Sequence, residues 1–416
     1  MRAARVLTVG LACSALILGW ALTLPPSAAA TSCAAGPLTV TTSNDTGAGS
    51  LRTALTTASG VASAQTICID TTQVTTAITL ASDFPALSAG TGALTIDGNG
   101  ATVNGNGHVV LSDLSSASLT VDSLTITGAT AGTLGGGGIG STGALTVTNS
   151  TITSNTDNSG AGGGGIFSAT SVSVTNSTIA HNSSPAGPGG GILCLGCSVS
   201  VTNSTINTNI DDGADASGGL EGVPVLATNS TVTDNTDGGI AVLGVGGGVG
   251  VLTLVYSTVA GNTSPGGGAA NLAGAGSLGH LPNTLITFGS VVALPESGPG
   301  GIGTPTNCAG FTTTTSHGFN FTDDTSCGLP AADTHVGASP QLGALANNGG
   351  PTQTLLPQTG SPLIDAIPAA SCQADGAAGI TTDQRGFARP DAASPNCDIG
   401  AVEVLSAPGL IVAFTG

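Results

Sequence analysis

A short pattern of alternating apolar and hydroxyl residues recurs along the middle of the chain. Residues 145–155 read LTVTNSTITSN, and an earlier variant, LTVDSLTI, occupies residues 119–126. Further variants of the phrase lie at residues 172–182, 199–209, 225–235 and 252–262. Corresponding β-branched residues recur every 26 or 27 positions, at Ile126, Ile152, Ile179, Ile206, Val232 and Val259. The alternation predicts a strand with one buried face, and the fixed period predicts stacked repeats.

A second apolar segment completes each repeat. It follows a pair of glycines in most copies, at Ile139, Ile166, Ile192, Leu220 and Ile240. No segment of helical period separates the two strands, so one repeat is predicted to be one coil of a parallel β-helix. Neighbouring coils then pair in parallel about 4.8 Å apart. Right-handed coiling is expected because β-crossover connections nearly always have that hand.

The predicted fold is therefore all-β: a right-handed parallel β-helix (solenoid) with a short N-terminal helical cap and an irregular, disulfide-braced C-terminal module. We divide the chain into a signal peptide (1–30), an N-terminal cap with the first strands (31–93), the coils of 26–27 residues (94–292) and the C-terminal module (293–416). A cap at each end is expected because an open stack exposes unpaired strand edges.

The N-terminal regions carry recognisable local signals. Two arginines, an apolar run and the small-residue site Ala28–Ala30 are typical of a secretory signal peptide. In the cap, Ser50 is the predicted N-cap of a short helix. One face of that helix is apolar and is expected to cover the first coil; it contains Leu51, Ala54, Leu55 and Ala58.

Asparagine recurs twice in each repeat. One column contains Asn155, Asn182, Asn209, Asn235 and Asn262. The other contains Asn149, Asn176, Asn203 and Asn229. We predict that each column forms a ladder in which the side chains bond the backbone of a neighbouring coil. The NST triplets also match glycosylation acceptors, but their spacing at the structural period favours the ladder.

Charge and cysteine content describe the compartment. The formal charge is −18, and removal of Arg2 and Arg5 with the signal peptide makes it −20. Such a surface repels nucleic acid and anionic membranes. The mature chain keeps eight cysteines, and proximity suggests the pairs Cys33–Cys68, Cys194–Cys197, Cys308–Cys327 and Cys372–Cys397. Sequence does not determine the connectivity, and the CxxC spacing of Cys194 and Cys197 also suits a redox or zinc pair.

The C-terminal third resembles a known family. Residues 342–366 read LGALANNGGPTQTLLPQTGSPLIDA, and TDQRGFARP (382–390) and NCDIGAVE (396–403) follow. These segments resemble the choice-of-anchor Q domain, and the coil repeats weakly resemble those of polymorphic outer membrane proteins. The resemblance implies a secreted bacterial β-helix protein of undefined molecular function. The sorting signal that often follows such domains is not evident after Glu403, so the mode of retention at the surface is open.

Many β-helices are polysaccharide lyases or hydrolases, so enzymatic sites were considered. The coils 94–292 contain neither Arg nor Lys, which argues against a lyase site that neutralises a uronic acid. Asp211 and Asp212 offer a carboxylate pair for hydrolysis, but the basic subsite is missing. Two carboxylates on adjacent coils can also share calcium, and Asp211, Asp212 and Asp237 are the candidate ligands. Solvated turn acids are the simpler interpretation, and no other cofactor is predicted.

Two further groups of residues have structural and functional interpretations. Outward Ser and Thr columns, such as Thr146, Ser173 and Ser200, suit ice binding but also reflect ordinary strand propensity. Arg385 and Arg389 lie among Asp365, Asp383, Asp398 and Glu403 in sequence, and we expect them to lock the C-terminal module by ion pairs. The sequence therefore predicts a secreted or cell-surface protein that is non-catalytic and is either displayed at the surface or active in adhesion. A glycan or surface ligand is the expected partner, and a carbohydrate-active enzyme using the Asp211 region is the alternative.

Overall fold

The computed structural model describes residues 33–405, except 37, 212–216, 244–248, 266–267, 276–282, 299–303, 333, 338 and 375–376. The predicted signal peptide and the chain beyond residue 405 lie outside the described residues. Within them, three long sheets run side by side, and every strand pairing in these sheets is parallel. This is the predicted parallel β-helix, with one strand from each sheet in a full coil.

Sheet A and sheet B each contain eleven strands in the described part of the chain, ordered from one coil to the next. The strands of sheet A are Thr39–Val40, Gln65–Ile69, Leu94–Asp97, Leu119–Asp122, Ala144–Thr148, Ser171–Thr175, Ser198–Thr202, Val225–Thr228, Val251–Val255, Asn283–Phe288 and Phe311–Ser316. Those of sheet B are Ile78–Thr79, Thr102–Asn104, Thr125–Thr127, Thr151–Thr153, Thr178–Ala180, Thr205–Asn207, Thr231–Thr233, Thr258–Ala260, Val291–Ala293, Asn320–Thr322 and Thr334–Val336.

Sheet C is the third wall of the coil. Its strands are Leu111–Asp113, Ile139–Ser141, Ile166–Ser168, Ile192–Cys194, Leu220–Gly222, Ile240–Leu243, Ala269–Ala275 and Thr306–Ala309. A short parallel pair, Ser183–Ser184 with Ile210–Asp211, lies between sheets B and C along the chain. The C-terminal module contains an antiparallel pair, Leu342–Ala346 with Thr354–Pro357, and a 3₁₀ turn at Ala369–Ser371.

The interior is a column of aliphatic residues in direct register. Ile152 pairs with Ile126 and Ile179, and the pairing continues through Ile206 to Val232. All of these side chains have zero exposure. The repeat alignment derived from sequence is therefore confirmed. Parallel pairing of identical coils brings like residues together, which buries apolar surface without large aromatic rings.

The two ends of the column are closed differently. At the start, the helix Leu51–Ala58 begins at Ser50, whose side chain accepts a hydrogen bond from the Thr53 N–H at 3.3 Å. Its predicted apolar face is buried in the core cluster. At the other end, sheets A, B and C continue beyond residue 292 to Val336. The Cys308–Cys327 disulfide and Leu329 pack against the end of the core.

The C-terminal module lies along the side of the β-helix rather than over its last coil, where sequence analysis places it. Thr352 donates to the Asn203 carbonyl, Asn229 donates to the Thr382 carbonyl, and the Ala401 N–H donates to Thr258 Oγ1. These contacts span several coils of sheet B. The module packs there against large apolar residues of the later coils. The shared hydrophobic cluster includes Tyr256, Phe288 and Phe321 from the coils and Leu363, Ile367 and Ile399 from the module.

Candidate functional site

The asparagine column at the corner after sheet B is a buried amide ladder. Asn182 Oδ1 accepts from both the N–H and the Nδ2 of Asn155, each at 3.0 Å, and Asn209 does the same for Asn182. Each Nδ2 also donates to a carbonyl of the preceding coil. Asn155, Asn182, Asn209, Asn235 and Asn262 all have zero exposure. Because a buried amide left without partners is costly, these bonds fix the register of the coils.

The ladder continues where the sequence period stops. Asn262 Nδ2 donates to Asn271 Oδ1 at 2.8 Å, and Asn271 Nδ2 donates to Asn307 Oδ1 at 2.7 Å. Asn307 in turn donates to Asp323 Oδ1 at 2.6 Å. Neither residue occupies the ladder position of the repeat, because Asn271 and Asn307 lie in the sheet C strands Ala269–Ala275 and Thr306–Ala309. This extension could not be read from the repeat.

Each residue of the second asparagine column lies in a turn, and the serines that follow these residues form a buried ladder. Asn149, Asn176, Asn203 and Asn229 have φ between 45° and 49°, a left-handed conformation that Asn tolerates. Only a 3.4 Å contact between Asn176 and Asn149 links described amides of this column. The buried bonds run through the following serine: the Ser150 N–H donates to Ser177 Oγ at 3.0 Å, and Ser177 to Ser204 at 3.1 Å. The predicted ladder at this corner is therefore made of serines.

The acidic region around Asp211 is buried. Asp211 has zero exposure and pairs in register with Ser184, which also has zero exposure. Glu221 is 2% exposed and lies in sheet C between Leu193 and Ala241 of the adjacent coils. Leu220 and its register partners Ile192 and Ile240 point into the core, so Glu221 points outward. Glu221 is therefore buried on the side of sheet C that faces away from the core.

Electrostatics sets Glu221 apart from the other acids of the coils. Burial, with the neighbouring charge of Asp211, raises the pKa of Glu221 to about 8. Within the described part of the chain, Glu221 Oε2 accepts no hydrogen bond and Ser184 Oγ has no partner. By contrast, Asp157, which holds the position of Asp211 two coils earlier, accepts bonds from Ser159 and from the Gly162 N–H. Neighbouring groups thus satisfy Asp157, whereas Glu221 Oε2 has no hydrogen-bond donor among the described residues.

The three residues of the predicted calcium site are placed as follows. Asp212 lies outside the described residues. Ile210 pairs with Thr236, so Asp211 and Asp237 follow paired residues on adjacent coils. Asp237 is partly exposed and has φ 66°, whereas Asp211 belongs to a strand. Across the described residues, no three His, Cys, Asp or Glu side chains come together as metal ligands.

The outer face of sheet A carries in-register ranks that consist mainly of hydroxyl residues. One rank pairs Thr95, Thr120, Thr146, Ser173 and Ser200 in direct register, and Leu226 interrupts it. A second rank contains Asp97, Asp122, Thr148, Thr175, Thr202 and Thr228. These hydroxyl groups and acids are partly exposed, and Thr148 donates to Asp122 at 2.6 Å. The face therefore offers repeated hydroxyl and carboxylate oxygens over many coils.

All four predicted disulfides are present, including the one that joins the CxxC pair. Cys194 is bonded to Cys197 at the corner between sheets C and A. Cys33–Cys68 braces the N-terminal cap, and Cys372–Cys397 lies inside the C-terminal module. A bonded pair has no thiolates for zinc, so the zinc interpretation of Cys194 and Cys197 does not apply to this structure.

The arginines of the C-terminal module are buried in ion pairs. Arg385 contacts Asp383 Oδ2 at 2.7 Å, and Arg389 contacts Glu403 Oε2 at 3.1 Å. Arg389 also donates to the carbonyls of Asp398 and Gly400. Asp398 accepts from the backbone N–H groups of Asp365 and Val404, and the Asp365 side chain is exposed. The pairs thus hold irregular backbone together, as expected for a structural role.

Two residues that the sequence analysis did not single out connect the module to the coils. Gln384 Nε2 donates to Thr205 Oγ1 at 2.9 Å, and its Oε1 accepts from Thr231 at 2.6 Å. Tyr256, the single tyrosine, replaces the corner asparagine, and its hydroxyl donates to the Cys372 carbonyl at 2.5 Å. The Arg389 guanidinium lies 4.0 Å from the centre of the Tyr256 ring. The signal for Tyr256 was its departure from the repeat.

A small surface pocket brings together two histidines that are separated in sequence. His317 and His335 line a pocket of about 440 Å³ with Phe319 and Thr334. Thr334 pairs in register with Asn320, and its Oγ1 is buried without a hydrogen-bond partner among the described residues. These histidines are 18 residues apart in sequence, and coiling brings both into the lining of one pocket.

Residues 86–264 match the family model described as a right handed beta helix region. The protein is a right-handed parallel β-helix. No curated protein and no solved structure matches the chain. The matched residues of this β-helix protein contain the asparagine ladder, the Asp211 region and most of the hydroxyl face. Among the described residues, no helix has the length and apolar character required to cross a bilayer.

Proposed function

We propose that this β-helix protein is secreted and acts outside the cell, or at its surface, as a non-catalytic adhesion protein. The carrying observation is the outer face of sheet A, where two in-register ranks of hydroxyl and carboxylate side chains extend over successive coils. A flat polar array can contact an extended ligand, such as a polysaccharide, through many equivalent hydrogen bonds. The predicted signal peptide, the four disulfides and the resemblance of residues 342–403 to the choice-of-anchor Q domain support the location.

A glycan array and an adhesion assay test this proposal. Ser173→Arg places a long charged side chain in the centre of the hydroxyl face, and we expect it to abolish ligand binding. The matched control is Thr153→Arg, on the outer face of sheet B, which should bind as the wild type does. If Ser173→Arg binds normally, the face of sheet A is not the binding surface. Fractionation of cells into medium, wall and membrane tests the location separately.

The alternative is a carbohydrate-active enzyme that uses the Asp211 region. Two observations disfavour it: Asp211 and Glu221 are buried, and the coils 94–292 contain no Arg or Lys. A polysaccharide degradation screen of the wild type beside Asp211→Ala decides the matter. Release of sugar by the wild type alone would establish the enzyme and overturn the non-catalytic proposal.

Ice binding is a further proposal for the same face. The register of Thr120, Thr146, Ser173 and Ser200 sets hydroxyl groups at the strand spacing of about 4.8 Å. Thermal hysteresis of the purified protein measures this activity directly. If Ser173→Arg abolishes the thermal hysteresis and the wild type binds no glycan, ice is favoured over carbohydrate as the ligand.

A further inference from the structure

Glu221 is out of place in its column. The outward residues that pair with it on the adjacent coils are Leu193 and Ala241, and Phe167 pairs with Leu193 one coil earlier. A glutamate there is 2% exposed, and its Oε2 accepts no hydrogen bond. Burial of a charged carboxylate is costly, so the group must take up a proton or bind a cation. The column offers no structural reason for an acid.

The coils 94–292 can surround Glu221 with oxygen atoms but contain no Arg or Lys. The charge of Asp211 acts on Glu221, and Ser184 is the direct register partner of Asp211. Ser184 Oγ is fully buried on the same face of this strand pair as Asp211 and has no hydrogen-bond partner among the described residues. The nearest Arg or Lys in sequence is Arg385, more than a hundred residues away, and its described ion pair is with Asp383.

We propose that Glu221, Asp211 and Ser184 bind a calcium ion on the outer side of sheet C. Two carboxylates match the charge of a divalent cation, and the hydroxyl supplies a neutral oxygen. The donor set contains neither imidazole nor thiolate, so zinc and copper are disfavoured. Calcium accepts irregular sets of six to eight oxygens, including backbone carbonyls, whereas magnesium requires near-octahedral geometry and retains water. The site differs from that expected from sequence because Glu221 takes part in it.

Calorimetry on the full secreted chain, stripped with EGTA and titrated with calcium chloride, tests the proposal. We expect one site with a dissociation constant of about 10⁻⁴ to 10⁻³ M, the range of extracellular modules. Glu221→Gln keeps the shape and removes one ligand charge, so it should weaken binding about tenfold or more. Asp122→Asn is the control, since it removes an acid from the face of sheet A and should leave calcium binding unchanged.

Two results would overturn the site. One is the absence of heat and of any calcium-dependent rise in the denaturation midpoint at about 10 mM calcium. The other is calcium binding by Glu221→Gln as tight as that of the wild type. If Glu221→Gln does not fold, Ser184→Ala replaces it, because that change removes only a hydroxyl group. Ser184→Ala should weaken binding about threefold, and unchanged binding would likewise reject the proposed ligand set.

Discussion

The outer face of sheet B has two halves that share one sequence pattern and differ in what covers them. In the earlier coils, Thr125, Thr151 and Thr178 are partly exposed. In the later coils, the register-equivalent Thr205, Thr231 and Thr258 are buried beneath the C-terminal module. The comparison shows that threonine at an outward strand position serves equally as a wet surface and as an interface. Which role it has depends on a segment far away in sequence.

The corner beside these threonines changes only within the covered half. Asn149 and Asn176 occupy it in the open coils, and Asn203 and Asn229 still occupy it in the first two covered coils. Tyr256, Gly289 and Phe319 replace asparagine in the coils that follow. All seven have φ between 45° and 55°, so the backbone is the same and the side chain alone changes. The Tyr256 ring meets Phe288 edge to face, with centroids 5.3 Å apart. The module therefore packs against aromatic residues that replace asparagine in a turn whose backbone geometry is the same in every coil.

The largest effect is expected from Arg389→Ala. The Arg389 side chain has zero exposure and connects Glu403, two module carbonyls and the Tyr256 ring. Its removal leaves Glu403 buried without its cation, which should cost about 3–5 kcal/mol of unfolding free energy. Urea unfolding followed by circular dichroism measures the loss. Arg52→Ala is the comparison, because Arg52 makes a similar pair with Asp45 in the N-terminal cap but keeps 18% of its side chain exposed, and it should cost less. Equal losses for both variants would contradict the assignment.

Tyr256→Asn restores the residue of the open coils and should separate the module from the later coils. Asn fits the left-handed turn, so the loss comes from the ring and from the hydrogen bond to Cys372. We expect a destabilisation of about 3 kcal/mol and earlier proteolysis within residues 340–405. Tyr256→Phe, which loses only the hydroxyl, should cost about 1 kcal/mol. Similar values for the two variants would show that the ring does not hold the module.

The covered half should also respond to pH. Burial raises the pKa of Asp398 to about 6 and that of Glu403 to about 7, although Arg389 opposes both shifts. The same groups titrate near 4 in an unfolded chain, so between these values the folded state holds protons that the unfolded state has lost. The stabilisation that these two protonated groups contribute is therefore complete below a pH of about 4. It is lost as the pH rises through about 7, by an amount on the order of 2 kcal/mol.

Fluorescence of Tyr256 reports this transition, since removal of the predicted signal peptide takes the single tryptophan with it. Denaturant midpoints at pH 5 and pH 8 measure the change. Glu403→Gln should reduce the pH dependence, and a profile identical to that of the wild type would show that Glu403 is not its source.

The smallest effect directly compares the two halves. Thr231→Val removes the hydroxyl that donates to Gln384 Oε1 at 2.6 Å and should cost about 1 kcal/mol. Thr151→Val, at the equivalent position in an open coil, should change stability by less than about 0.5 kcal/mol. Thermal melts of the two variants suffice. A loss as large for Thr151→Val would mean that the hydroxyl matters to the strand itself and not to the interface.

The fold was predictable because each coil repeats one solution. Ile152 and Ile179 alternate with hydroxyl residues at a fixed period, and this pattern alone determines which side chains stack. The four disulfides were also predictable from proximity, because a coil brings nearby cysteines together. Asn271 and Asn307 extend the amide ladder from strands of sheet C, a position that the periodicity does not contain.

The candidate sites were less predictable because they depend on what covers the coils. The acidic cluster around Asp211 was visible in sequence, but the burial of Glu221 and its lack of hydrogen bonds were not. Docking of the module was equally hidden, since Gln384 meets Thr205 and Thr231 from more than 150 residues away. Contacts of this kind follow from side-by-side packing of unlike segments, which no local pattern specifies.

The seating of the module on the later coils gives the chain one end at which its length can evolve. A tandem duplication of one repeat unit, residues 151–177, would add a coil to the open side and leave Thr205, Thr231 and Gln384 in the same relation. The same duplication of residues 231–257 would move Thr258 one coil further from Thr231 and break contacts of the module. Selection can therefore extend the exposed face in whole-coil steps toward the N-terminus, while the number of docked coils is fixed.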